Sequence, residues 1–148
     1  MDSTLYHSLN QLLSDLTVAQ RNVQILHWNL KSKDFIFLHE YFGELYATLS
    51  EYTDITAEQI RFMHAFPAAT LKENLANSRL RSIESDCFYL AQESIEILIS
   101  IIRYLKNLTD YIIAYADEHQ QWDVVDVYSN QTAHYAKVLY FLENSLVD

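Results

Sequence analysis

Asp34–His64 reads DFIFLHEYFGELYATLSEYTDITAEQIRFMH, and this stretch decides the fold. Its apolar residues Leu38, Phe42, Leu45, Leu49 and Tyr52 recur in steps of four and three, the spacing of one face of an α-helix. Asp34 can start the helix. It runs to about His64 and stops before Pro67, since the residue ahead of a proline is biased away from helical backbone. At about 100° per residue, Asp54 lies roughly 200° round the axis from Tyr52. His39, Gly43, Ala47, Ser50, Asp54 and Glu58 therefore form a strip facing away from the apolar stripe. The middle of that strip is made of small residues, which suits either close approach of a second helix or plain solvent.

The flanking segments read the same way. Upstream, Leu9, Leu12, Leu16, Ala19, Val23, Leu26 and Leu30 form one helical stripe, which Ser3 or Asp2 could cap and which ends near Lys31-Ser32-Lys33. Downstream, residues 65–81 form a connection with a short polar helix around Lys72–Asn77, long enough to cross between bundle halves. A third long helix is expected from about Ser82 to His119, with Leu90, Ile97, Ile101, Leu105, Leu108 and Ile112 prominent. A fourth is expected from Trp122 to Ser145, carrying Val125, Ala136, Leu139, Leu142 and Leu146, with Gln120-Gln121 as the joint. Gly43 and Pro67 are the only glycine and proline, which argues against a turn-rich β fold. The expectation is all-α: a ferritin-like four-helix bundle with one long crossover carrying a short helix, a single domain over residues 1–148.

A net charge of −10 argues against direct nucleic-acid binding and suits a surface that attracts cations. Eleven tyrosines and seven phenylalanines point to extensive aromatic packing or interfaces. The lone Cys87 cannot form an internal disulfide. The start, Met1-Asp2-Ser3-Thr4, lacks the features of a signal peptide, and Arg103 and Lys106 interrupt the most apolar region. A cytoplasmic setting and no membrane association are expected.

Four residues have the chemistry of metal ligands. Imidazole and carboxylate together are the donors that hold iron, and His27, His39, Asp54 and Glu58 supply two of each. His39 and Asp54 are too far apart to share a metal, since a rise of ~1.5 Å per residue separates them by roughly 22 Å along the helix. A second copy must complete any such site. In an antiparallel twofold contact crossing near residues 46 and 47, His39 stands opposite Asp54 of the mate. His27 and His39 of one copy then face Asp54 and Glu58 of the other, twice per dimer. The alternative is a packed or solvated histidine and a carboxylate pair on a solvated face.

His27-Trp28, Leu38-His39-Glu40-Tyr41-Phe42, Asp54-x-x-Ala57-Glu58, Pro67-x-x-Thr70, Asp126 and Leu139-Tyr140-Phe141-Leu142-Glu143 together resemble the Dps family, or mini-ferritins, over nearly the whole chain. The resemblance implies a homo-oligomeric shell, a hollow dodecamer built from twofold dimers with a ferroxidase site between twofold-related subunits. It implies Fe(II) as substrate, hydrogen peroxide as the preferred oxidant and Fe(III) mineral as the stored product. Iron would be held by His27 and His39 from one side and by Glu58, with Asp54 beside it, from the other. Trp28 would stand close by to quench radical by-products. Asp126, with Asp117 and Asp123 as companions, would line an acidic pore through which iron enters, and Glu40 and Glu44 would nucleate mineral inside.

Three positions depart from the family's pattern. Gly43 stands where several relatives carry an aspartate ligand, Gln59 where arginine is common, and Tyr140 where a tryptophan is common. Met1–Asn10 contains no lysine or arginine, and the chain ends on Leu146-Val147-Asp148, so the basic tails through which members bind DNA are missing and DNA binding is not expected. Two other functions remain open: a DNA-protecting structural protein with secondary ferroxidase activity, or a shell with impaired iron chemistry, towards which Gly43 points.

Overall fold

The computed structural model describes residues 1–147. Asp148, the last residue of the acidic chain end, lies outside the described residues. Four long helices, α1 (Ser3–Asn29), α2 (Phe35–Phe62), α4 (Ala91–Glu118) and α5 (Trp122–Glu143), form the ferritin-like four-helix bundle. The crossover between α2 and α4 carries the short helix α3 (Leu71–Asn77).

All seven apolar positions of the first stripe are buried, Leu9 to Leu30. Asp2 caps α1 by accepting from the Leu5 amide at 3.0 Å. It also receives the Tyr115 hydroxyl and the Gln121 side-chain amide, tying the chain start to the far end of α4. The Leu5 N–H bond, with these two donors, holds the Asp2 carboxyl below its ordinary value despite partial desolvation. In α2, Leu38, Phe42, Leu45 and Leu49 are buried, Tyr52 is half-buried, and the inner face continues through Thr56, Gln59 and Ile60. Asp34 occupies the N-cap position, but its side chain makes no capping bond.

Both α2 and α4 end without a glycine. His64 (φ 62°) and Gln120 (φ 57°) adopt the left-handed conformation themselves. The following amides close back onto Ile60 O and Ala116 O, so the last-turn carbonyls are satisfied in the Schellman manner.

The third long helix begins at Ala91, nine residues later than the periodicity suggests. Residues 82–90 are non-helical, with a bend at 85–87, because α1 and the residues just after it supply partners for their backbone. Asn22 bridges Arg81 O and Ile83 N, Asn29 donates to Ser85 O, and β1 (Leu30–Lys31) pairs in parallel with β2 (Tyr89–Leu90). Leu90 is exposed at the N-cap of α4. The inner face of α4 runs through Ile95, Leu98, Ile102, Leu105, Thr109, Ile112 and Ala116, so Ile97 and Leu108 are only half-buried. In α5 the buried face is Val124, Tyr128, Gln131, Tyr135, Val138, Leu139 and Leu142, while Ala136 points outward. Tyrosines and a glutamine fill core positions there, which an aliphatic stripe cannot reveal.

Asp15 is fully buried in α1 and is the anchor of the crossover. It accepts from Ser78 Oγ at 2.9 Å, the Arg79 amide at 2.8 Å, Gln11 Nε2 at 3.0 Å and the Tyr104 hydroxyl at 2.5 Å. Four donors to one carboxylate replace the water it gave up on burial.

Bulky rings separate α2 from α5. Tyr52 meets Tyr135 and His134 edge-on, and the Tyr128 hydroxyl donates to Thr56 Oγ1 at 3.0 Å. The Gln131 amide, the Tyr135 hydroxyl and His134 Nδ1 are buried in this seam with no protein partner among the described residues. Burial pushes the His134 imidazole below its ordinary 6.5, and Lys137 adds to the effect. The unfolded chain therefore takes up a proton below about pH 6.5 that the folded chain accepts only at lower pH. This penalty is absent above that pH, grows as pH falls, and is complete once the folded group has protonated. Urea melts between about pH 7.5 and 5.5 should show a declining stability whose slope is reduced in His134→Gln. An identical slope in both proteins would mean that other groups carry the decline.

Among the described residues, no helix is long and apolar enough to cross a membrane.

Candidate metal centre

The tight link between α1 and α2 brings His27 and His39 face to face. Their rings stack with centroids 3.7 Å apart and planes inclined by 11°. His27 Nδ1 lies 2.6 Å from the main-chain oxygen of His39, and His39 Nδ1 lies 2.7 Å from the main-chain oxygen of His27. A carbonyl oxygen only accepts, so each Nδ1 is the donor. In the neutral ring this leaves the Nε2 lone pair uncommitted. Histidines that bind metals are commonly oriented this way, by a hydrogen bond from the other ring nitrogen. Phe35 stacks on the His39 ring at 4.8 Å, and Tyr46 meets the His27 ring edge-on at 5.6 Å.

Asp54 and Glu58 are exposed on α2, in the same outward strip as Ala47 and Ser50. α2 is continuous from Phe35 to Phe62, so the carboxylates stand roughly 22 and 28 Å along it from His39 at ~1.5 Å per residue. Among the described residues no three His, Cys, Asp or Glu side chains come together to hold a metal ion. One chain thus presents an imidazole pair and a carboxylate pair at separate places on one surface. Trp28, next to His27, is exposed, with the Arg21 guanidinium 6.0 Å from its ring centroid.

Asp117 near the end of α4, and Asp123 and Asp126 in the first turns of α5, are exposed on either side of the turn 119–121. Glu40 and Glu44 are exposed on α2. Glu44 shares a small cavity of about 90 Å³ with Tyr41, Thr48 and His134. Burial, helped by the Glu44 carboxylate, pushes the Tyr41 phenol up. Gln59 is buried and Tyr140 exposed.

The reciprocal bonding of the histidines depends on main-chain carbonyls, which no spacing of residue types announces. The Asp15 anchor had a signal, an acid inside the leucine-rich run Leu12-Leu13-Ser14-Asp15-Leu16.

Residues 6–148 match the ferritin-like domain family. The chain is 26% identical over 138 residues to the DNA protection during starvation protein of Streptococcus suis, covering 93% of this chain and 80% of that one. Its structure resembles that of Dps from Staphylococcus aureus, with a TM-score of 0.92 at 25% identity, covering 99% of this chain and 97% of the other. It also resembles the DPS protein of Vibrio cholerae O1, with a TM-score of 0.90 at 25% identity, covering 96% and 88%. That protein is described as a member of a broad superfamily of ferritin-like diiron-carboxylate proteins.

With four long helices, one crossover and this extent of matching, the chain belongs to the ferritin-like family. Within that family it is a Dps protein.

Proposed function

We propose that this protein is a ferroxidase and iron store. It oxidises Fe(II) with hydrogen peroxide at sites shared by twofold-related copies, and holds the Fe(III) as mineral inside a closed shell of twelve. The carrying observation is the histidine pair, whose two Nδ1–H groups are committed to carbonyls and whose two Nε2 atoms are not. The carboxylates of the mate's Asp54 and Glu58 would offset the iron's charge from the opposite side. Two Fe(II) each give one electron, the O–O bond of one peroxide breaks, and two protons complete two waters. No hydroxyl radical is released, so storage and detoxification are one reaction, and Trp28 stands beside it as a sacrificial ring.

Fe(II) would enter through rings of Asp117, Asp123 and Asp126 at a symmetry axis, where acidic side chains attract cations. Glu40 and Glu44 offer carboxylates for mineral nucleation. The proposed setting is the cytoplasm.

Direct DNA binding is not part of this reading, because the net charge of −10 repels phosphate. Retardation of duplex DNA at neutral pH and moderate salt would restore the DNA-protecting alternative.

The test is size-exclusion chromatography with light scattering and iron detection. Metal-free protein first receives Fe(II) without oxygen, then limiting peroxide. Soluble iron should co-elute with a particle of about 209 kDa, twelve copies of 17.4 kDa in a closed point group. Glu58→Gln should keep the particle and lose fast oxidation. A monomer or dimer throughout would overturn the assembly, and an iron-free shell would overturn the storage reading.

A further inference from the structure

Gly43 is the only glycine in the chain, and it stands where a glycine weakens the backbone. It lies inside α2, one turn after His39, where glycine disfavours a helix relative to alanine. The two left-handed positions that would welcome a glycine, His64 and Gln120, carry other residues. The structure supplies a spatial reason at 43. A Cβ there would lie 3.0 Å from His27 Cε1 and 3.4 Å from His27 Nδ1. Carbon atoms in ordinary contact stand about 3.5–4.0 Å apart. The His27 ring cannot retreat freely. Its Nδ1 is held 2.6 Å from the His39 carbonyl, and its face lies 3.7 Å from the His39 ring.

We infer that Gly43 is the positioning residue of the candidate metal centre: it lets the His27 ring lie against α2, which locks His27 and His39 as Nδ1–H tautomers that offer Nε2 to a divalent cation. This rests on the metal-site reading above. Its consequence in this chain is that a Cβ at 43 presses on the His27 ring, which must give by a few tenths of an ångström against its carbonyl bond and its stack.

The effect of Gly43→Ala on helix stability and its effect on the site have opposite signs, which makes the test decisive. In the full-length assembled protein, Gly43→Ala gains helix propensity but crowds His27, so its thermal midpoint should move little. Its affinity for Co(II), used anaerobically as a spectroscopic probe, should fall about 10–100-fold, as when the outer partner of a metal-bound histidine is lost. In metal-free protein labelled with ¹⁵N-histidine, solid-state NMR should show the Nδ1–H signals of His27 and His39 moving, assigned against His27→Gln and His39→Gln. Unchanged affinity and unchanged ring signals alongside a raised midpoint would overturn the inference and leave Gly43 a plain helix defect.

If the wild type binds no Co(II) through these histidines, the metal-site reading fails, and the metal-free ring signals still decide the role of Gly43. If Gly43→Ala does not fold, the double variant with His27→Ala decides. Recovery of folding shows that the Cβ collided with His27, and no recovery overturns the inference.

Discussion

Chains carrying His27→Ala with His39→Ala should lose Fe(II) oxidation almost completely, and so should chains carrying Asp54→Ala with Glu58→Ala. Mixed in equal amounts and co-assembled, the two inactive proteins should recover about a quarter of the wild-type rate. That figure comes from random pairing in twofold dimers, where half the dimers are mixed and each mixed dimer holds one intact site and one carrying all four lesions. The physical basis is the continuity of α2: residues 39 and 54 are separated by an unbroken helix and cannot approach each other within a chain. Each parent is expected to fold, since all four side chains lie outside the hydrophobic core. The rate of peroxide-driven Fe(III) formation reads the result, with mass spectrometry confirming mixed particles. Mixed particles with no recovered rate would place the four residues in separate roles.

Asp15→Ala should destabilise the fold strongly, because Asp15 is fully buried and is the shared acceptor of the crossover. It leaves the Arg79 amide and the Tyr104 hydroxyl without an acceptor, while Gln11 keeps Asn77 O and Ser78 keeps Leu80 O. At about 1–3 kcal/mol for each buried group left unpaired, and allowing for some of them finding water, the loss should be about 3–5 kcal/mol. Tyr104→Phe removes one donor and leaves three, so its cost should be nearer ~1 kcal/mol. The phenol lends an independent check. Burial, together with the hydrogen bond to Asp15, raises the Tyr104 pKa, so Asp15→Ala should bring its ionisation down in a spectrophotometric titration. Urea unfolding at one fixed protomer concentration is the measurement, because assembly makes apparent stability depend on concentration. A loss below about 1 kcal/mol for Asp15→Ala would mean that the crossover is held by other contacts.

The crossover is where sequence and structure part most clearly. Periodicity continues the third helix back to Ser82, but residues 82–90 are non-helical. Asn22 and Asn29 satisfy their backbone groups, and Leu30–Lys31 pairs with Tyr89–Leu90. Those partners lie some 60 residues away along the chain, and a local pattern cannot contain them. The same applies in α5, where Tyr128 and Tyr135 are core residues because α2 presents Thr56 and Tyr52 across the seam.

At the candidate centre, the residue types and the outward strip of α2 could be read from one-dimensional spacing, because helical geometry converts sequence intervals directly into angles and distances. By itself the sequence determined the four long helices, the single crossover with its short helix, and the separation of His39 from Asp54 and Glu58. Each follows from a period of 3.6 residues and a fixed rise. Only the tertiary structure decided which histidine nitrogens are committed, why the one glycine stands at 43, and where the buried Asp15 finds its donors. Those depend on main-chain carbonyls and side chains brought together from distant parts of the chain, and such contacts exist only once the helices have packed.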